Sequence, residues 1–177
     1  MLGNHDMDRI ADVVRNQDPR RVKLAYTLLA TMRGIPQVFY GDEYAMKSSD
    51  RSLGHSTLRM PLPLGDAVTA EMQDMFDFQS KLFQWRKGES VIHTGRTMHF
   101  MSRDNTYGFF RYNDSEAVFV FANASEDSRT IPTAHYAEIL GKYNPIGVDV
   151  ISGNTYDLSR SDIVIPALTS IVVKLTK

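Results

Sequence analysis

The sequence predicts an α+β protein with its helices first and its strands last. Three observations carry that expectation. Apolar residues recur at helical spacing between Asp18 and Lys87, composition changes near Gly88, and short β-branched and aromatic runs alternate with turns from there onward. Several short strands at that spacing indicate an antiparallel β-sandwich.

The first helix is punctuated at both ends. Asp18 can accept from orphan amides as N-cap, and Pro19 stands where its missing N–H costs nothing. Val22, Ala25, Leu28, Leu29 and Met32 then mark one apolar face, and Gly34 supplies the stop. Ile35 to Gly41 follows at once. Its Val38-Phe39-Tyr40 core is too short for a helix and too apolar for a loop, and predicts a strand buried on both faces, as parallel strands are. Residues 42–68, rich in Ser, Gly, Asp and Pro, read as irregular. A stretch of that length often serves function. A second helix is expected over residues 69–87, with Met72, Met75, Phe76, Gln79, Leu82, Phe83 and Arg86 as its inward stripe. Strands are expected at about 96–103, 106–112, 116–123, 128–132, 147–151, 162–165 and 169–176, with the apolar run Val118 to Phe121 central.

Composition narrows the function classes. The chain has 177 residues, 42% hydrophobic and 23% charged, with a net charge of −1, which offers no electrostatic footprint for nucleic acid and no basic face for a membrane. No apolar run approaches bilayer length, and the start, Met1-Leu2-Gly3-Asn4-His5-Asp6, does not read as a signal peptide. With no cysteine, disulfides, thiolate catalysis and zinc–cysteine sites are excluded, while the compartment stays open.

Polar side chains concentrate at Asn4-His5-Asp6. On their own they fit a turn, with Asp6 or Asp8 capping a helix near Arg9. Gly3-Asn4-His5-Asp6 also resembles the signature loop of calcineurin-like metallophosphoesterases. That family wants a downstream Gly-His-x-His, whereas the chain offers only Gly54-His55-Ser56-Thr57.

A second resemblance spans essentially the whole chain. Asn4-His5-Asp6, Asp8-Arg9, then Gly34-Ile35-Pro36-Gln37-Val38-Phe39-Tyr40-Gly41-Asp42-Glu43 resemble the end of an alpha-amylase-family barrel. Leu58-Arg59-Met60-Pro61 and Trp85-Arg86-Lys87-Gly88 are similar to elements of its neopullulanase and cyclomaltodextrinase branch, and the β-rich tail to the family's C-terminal sandwich. The resemblance implies a C-terminal remnant of a (β/α)8 TIM barrel (last helices and eighth strand) over residues 1–88, and a sandwich over 89–177.

It also implies roles. Asp6 matches the family's third carboxylate, which favours the distorted, oxocarbenium-like sugar. His5 would bind hydroxyls of the same sugar, Arg59 would line a neighbouring subsite, and Arg9 would bind at the site or pair with a catalytic carboxylate. Each has a plainer reading as a loop or helix-start residue, and Tyr40 and Trp85 read as core before sugar platforms. The family's nucleophile and acid/base carboxylates lie after strands four and five, outside the matched elements. The expectation is therefore part of a retaining α-glycosidase acting on starch, maltooligosaccharides or cyclodextrins, inactive alone. No cofactor and no metal are called for, nor nucleic acid or membrane, and the family implies an extracytoplasmic place with a cytoplasmic one open. A non-catalytic carbohydrate-binding module is the alternative, marked by an exposed aromatic row, which Phe109, Phe110, Tyr112, Phe119 and Phe121 do not predict. An unpaired Val38–Tyr40 and the helix face around Leu28, Leu29 and Met32 predict a homodimer.

Overall fold

The computed structural model describes residues 2–177; Met1, and with it the first residue of the expected start, lies outside them. The chain forms two compact units. One comprises the residues up to Ala30 and Ile35–Phe83, the other Thr31–Gly34 and Gln84–Lys177.

The first unit is built from α1 (Ile10–Val13), most of α2 (Pro19–Thr31) and most of α3 (Ala70–Gly88), with 3-10 turns at Asp42–Tyr44, Arg51–Leu58 and Gly65–Ala67. Helix α2 starts as its sequence dictates. Asp18 Oδ1 accepts from the Arg20 amide at 2.9 Å, and the Arg20 side chain holds the Asp18 carboxyl below its usual range. Its buried face is wider than the expected stripe. Val22, Leu24, Tyr26, Thr27 and Ala30 are buried, while Ala25, Leu28 and Leu29 are only half-buried. Val22 and Tyr26 pack with Ala11 and Met75. On α3, Met75, Gln79 and Leu82 follow the expected inward spacing, but Phe76 is exposed and stacks on Tyr44, ring centroids 5.4 Å apart.

The expected strand at Val38–Tyr40 does not form. Residues 35–39 carry no ladder bonds; Val38 and Tyr40 are 37% and 39% exposed, and Ile35 is 95% exposed. The reason is physical. A doubly buried parallel strand exists only between two neighbours, and every strand among the described residues lies between Arg96 and Thr176.

In the second unit α4 (Ser90–Thr94) leads into eight strands: β1 (Arg96–His99), β2 (Thr106–Tyr112), β3 (Glu116–Asn123), β4 (Arg129–Thr130), β5 (Ile146–Asp149), β6 (Thr155–Asp157), β7 (Val164–Ile165) and β8 (Thr169–Thr176). Six of them form an antiparallel sheet in the order β1-β2-β3-β8-β5-β6, and β4 pairs with β7 in a two-stranded ribbon. This is the antiparallel β-sandwich that follows the barrel remnant. Phe110, Phe119, Phe121, Ile171 and Val173 of the large sheet meet Ile165 of the ribbon and Ile131 just after β4, together with Tyr136, Ile139 and Leu140. The last three belong to a 3-10 turn at Thr133–Tyr136 that runs into α5 (Ala137–Leu140). Period-2 alternation places those aromatics on one face, and the β2–β3 register stacks Phe110 on Phe119 at 4.7 Å. Gly108 makes room for the Tyr136 ring, since a Cβ there would sit 2.7 Å from Cζ. Phe109, Phe110, Phe119 and Phe121 are all fully buried, so they form core, not an exposed aromatic row. Trp85 is half-buried, and no described helix is long and apolar enough to cross a membrane.

Candidate functional site

Within the first unit the structure brings Asp6, His5 and Arg59 together on an exposed face. The turn that presents Asp6 is tied by Asn4, whose Oδ1 accepts from the Asp6 amide at 2.8 Å. Asn, with a short polar side chain, is suited to that local bond. The Asp6 carboxylate, 66% exposed, stands 3.0 Å from His5 Nε2 and 3.7 Å from the Arg59 guanidinium. Arg59 follows the Arg51–Leu58 turn, which Asp50 opens by accepting from the Ser52 amide. A second ion pair joins the same two segments, Arg51 to Asp8 at 2.6 Å. An acceptor carboxylate flanked by imidazole and guanidinium donors, all open to solvent, suits a ligand that both donates and accepts hydrogen bonds, as adjacent sugar hydroxyls do.

Arg9 is not on that face, which corrects its reading as a substrate-binding residue. Its side chain is fully buried and both of its amino groups bond within the protein, while its Nε–H is buried without a partner among the described residues. It bonds Asp42 Oδ1 and the Tyr40 carbonyl oxygen at 2.9 Å each, and the Leu58 carbonyl oxygen at 2.6 Å. Its guanidinium also lies 4.7 Å from the centre of the Phe39 ring. A guanidinium in a dry setting is held only where a carboxylate and several acceptors compensate its lost hydration, and Asp42 supplies that charge. Burial pushes the Asp42 carboxyl above the usual range, while the Tyr26 hydroxyl, donating to Oδ2 at 2.8 Å, and Arg9 favour its anion. Burial raises the Tyr26 hydroxyl too, with the Asp42 charge adding to the rise. Gln79 completes the arrangement by donating to the Asp42 carbonyl oxygen at 2.8 Å.

Asp42 and Tyr26 escaped the sequence reading, and Gln79 entered it only as part of the inward stripe of α3. Asp42 stands beside Glu43 in a polar run, and nothing in the spacing links it to Arg9, thirty-three positions earlier. Tyr40 spends its hydroxyl on the Met60 carbonyl oxygen at 3.1 Å and is partly exposed. The metallophosphoesterase motif finds no support: His55 is an exposed turn residue, and no three His, Asp or Glu among the described residues are gathered for a metal ion.

Residues 1–129 match the alpha amylase catalytic domain, and residues 97–174 the cyclo-malto-dextrinase C-terminal domain. A cyclomaltodextrin glucanotransferase of Geobacillus stearothermophilus is 25% identical over 168 residues, covering 90% of this chain and 21% of its own. A 4-alpha-glucanotransferase of Thermotoga maritima is 27% identical over 147 residues, covering 69% of this chain and 33% of its own. The chain thus spans between a fifth and a third of the length of these relatives. Among solved structures, an alpha-amylase from Geobacillus thermoleovorans, complexed with acarbose, superimposes with a TM-score of 0.74 at 20% identity, over 99% of this chain and 38% of that one. An Anoxybacillus alpha-amylase gives 0.77 at 20% identity, over 99% and 37%. By its fold and by the catalytic-domain match over most of its length, the chain belongs to the alpha-amylase family.

Proposed function

We propose that Asp6, His5 and Arg59 form part of the sugar subsite of a longer retaining α-glycosidase that hydrolyses starch, maltooligosaccharides or cyclodextrins in the manner of neopullulanases. The observation that carries the reading is the exposed Asp6 carboxylate, oriented by Asn4 and flanked by His5 and Arg59. The cyclo-malto-dextrinase match over residues 97–174 supports that branch. Asp6 would hold hydroxyls of the sugar at the scissile bond. Because those bonds strengthen as the ring distorts, they act on the barrier more than on ground-state binding.

A polypeptide of these 177 residues is expected to lack glycosidase activity. Retention needs one carboxylate to attack and another to protonate, about 5–5.5 Å apart. Among the nearby carboxylates, Asp42 is buried against Arg9 and so is not offered to a substrate, and Asp8 is paired with Arg51. Reducing-sugar assay with maltoheptaose should match the buffer blank. Release that persists in Asp6→Asn would overturn both the inactivity and the role of Asp6.

The same polypeptide is expected to self-associate as a homodimer. Ile35, Val38, Leu62 and Leu64 of the first unit are exposed large apolar side chains that a second copy would cover. Sedimentation velocity should show the dimer, and a monomer at all concentrations would refute it.

A further inference from the structure

One buried guanidinium reaches both segments that build the exposed face. Arg9 lies three residues after Asp6, and its second amino group donates to the Leu58 carbonyl oxygen, immediately before Arg59. The other amino group is fixed by Asp42 and the Tyr40 carbonyl, and Asp42 is fixed in turn by Tyr26 and Gln79. A rigid planar fork can satisfy acceptors in divergent directions at once, which a single ammonium cannot. The backbone is shaped for this approach. Gly41 has φ +86°, and a Cβ there would stand 2.5 Å from Met46 Sδ and 3.2 Å from the Arg9 guanidinium.

We propose that Arg9 is a positioning residue: anchored on Asp42, it sets the approach of Arg59 to Asp6 and so the width of the sugar subsite. This rests on Asp6 being the sugar-facing carboxylate of the proposed function. Arg9 itself touches no substrate. Its fork fixes Leu58, the carbonyl of Leu58 fixes where the next side chain begins, and Arg59 thereby meets Asp6 across 3.7 Å. Were the buried pair to serve the fold alone, the spacing of Arg59 and Asp6 would not depend on whether residue 9 carries a fork.

A substitution cycle read by NMR on the 177-residue chain, without ligand, tests this. Arg59→Ala is expected to shift the Asp6 carboxyl carbon resonance, and in an Arg9→Lys background, which keeps the charge and loses the fork, that shift should fall by more than half. Asp42→Asn, which keeps the shape of the anchor, should weaken the shift in the same direction and serves where Arg9→Lys does not fold. Amide protection in α2 reports that the unit is intact. An Arg59→Ala shift that is absent in the unsubstituted chain, or undiminished in either background, overturns the proposal. The cycle contains no sugar, so its failure is separate from that of the α-glucan reading, which the kinetics of Asp6→Asn judge alone.

Discussion

Asp6→Asn, introduced into the longer enzyme proposed to contain this chain, is expected to lower kcat by roughly 10³-fold or more while KM changes far less. The substitution keeps the size of the side chain and one acceptor oxygen, so most of the ground-state contact with sugar hydroxyls survives. What is lost is the negative charge beside a ring that becomes cationic as the glycosidic bond breaks. A charge-assisted bond is about twice as strong as a neutral one, and here it gains most where charge develops. His5 loses a carboxylate neighbour in the same step, since its Nε2 faces Asp6 at 3.0 Å. Steady-state kinetics on maltoheptaose decide the matter. Equal and modest changes in kcat and KM would make Asp6 a turn residue only; the helix cap expected of it does not form, since the N-cap position of α1 is Arg9, with no side-chain cap.

How far the sequence foretold this face depends on the range of the interactions. Asn4, His5 and Asp6 are adjacent, and the Asn4–Asp6 bond spans two residues, so their clustering is legible from the chain. Helix α2 is legible because Asp18-Pro19 opens it locally, and β2, β3 and β8 because each is a run of seven or eight residues rich in aromatic and β-branched side chains. The three-residue strand Thr155–Asp157 and the five-residue helix Ser90–Thr94 carry too few residues for either period to show. Val38–Tyr40 failed for the opposite reason. Its composition states a preference for burial on both faces, but a ladder is a property of neighbours, and none flanks it. The burial of Arg9 was hidden most thoroughly, because its partners Tyr40, Asp42 and Leu58 come from two distant segments and none of those residue types announces a pair.

That burial gives Arg9 the largest expected effect on stability. Arg9→Met fills a similar volume but leaves Asp42 buried without its cation, and breaking a buried pair on one side costs about 3–5 kcal/mol. The Tyr40 and Leu58 carbonyl oxygens lose their donor as well, which adds to the loss. The cost should depend on pH with a defined sign. Burial already raises the Asp42 carboxyl, with Arg9 opposing the rise, so removing Arg9 raises it further. A carboxyl whose folded-state pKa exceeds its unfolded value stabilises most below the unfolded pKa and loses that contribution as pH rises through the folded one. The gap between Arg9→Met and the unsubstituted chain should therefore be widest near neutrality and narrow on acidification, as Asp42 takes up a proton. Native-state hydrogen exchange of the α2 amides measures it, since Tyr26 on that helix donates to Asp42. Adding Asp42→Leu to Arg9→Met should recover part of the loss by removing the stranded charge. Recovery stays partial, because the Tyr26 hydroxyl and the two carbonyl oxygens remain buried and unpaired. A gap that is independent of pH, or a double substitution no better than the single one, would mean that Asp42 is neutral in the folded chain and that Arg9 acts through its hydrogen bonds alone.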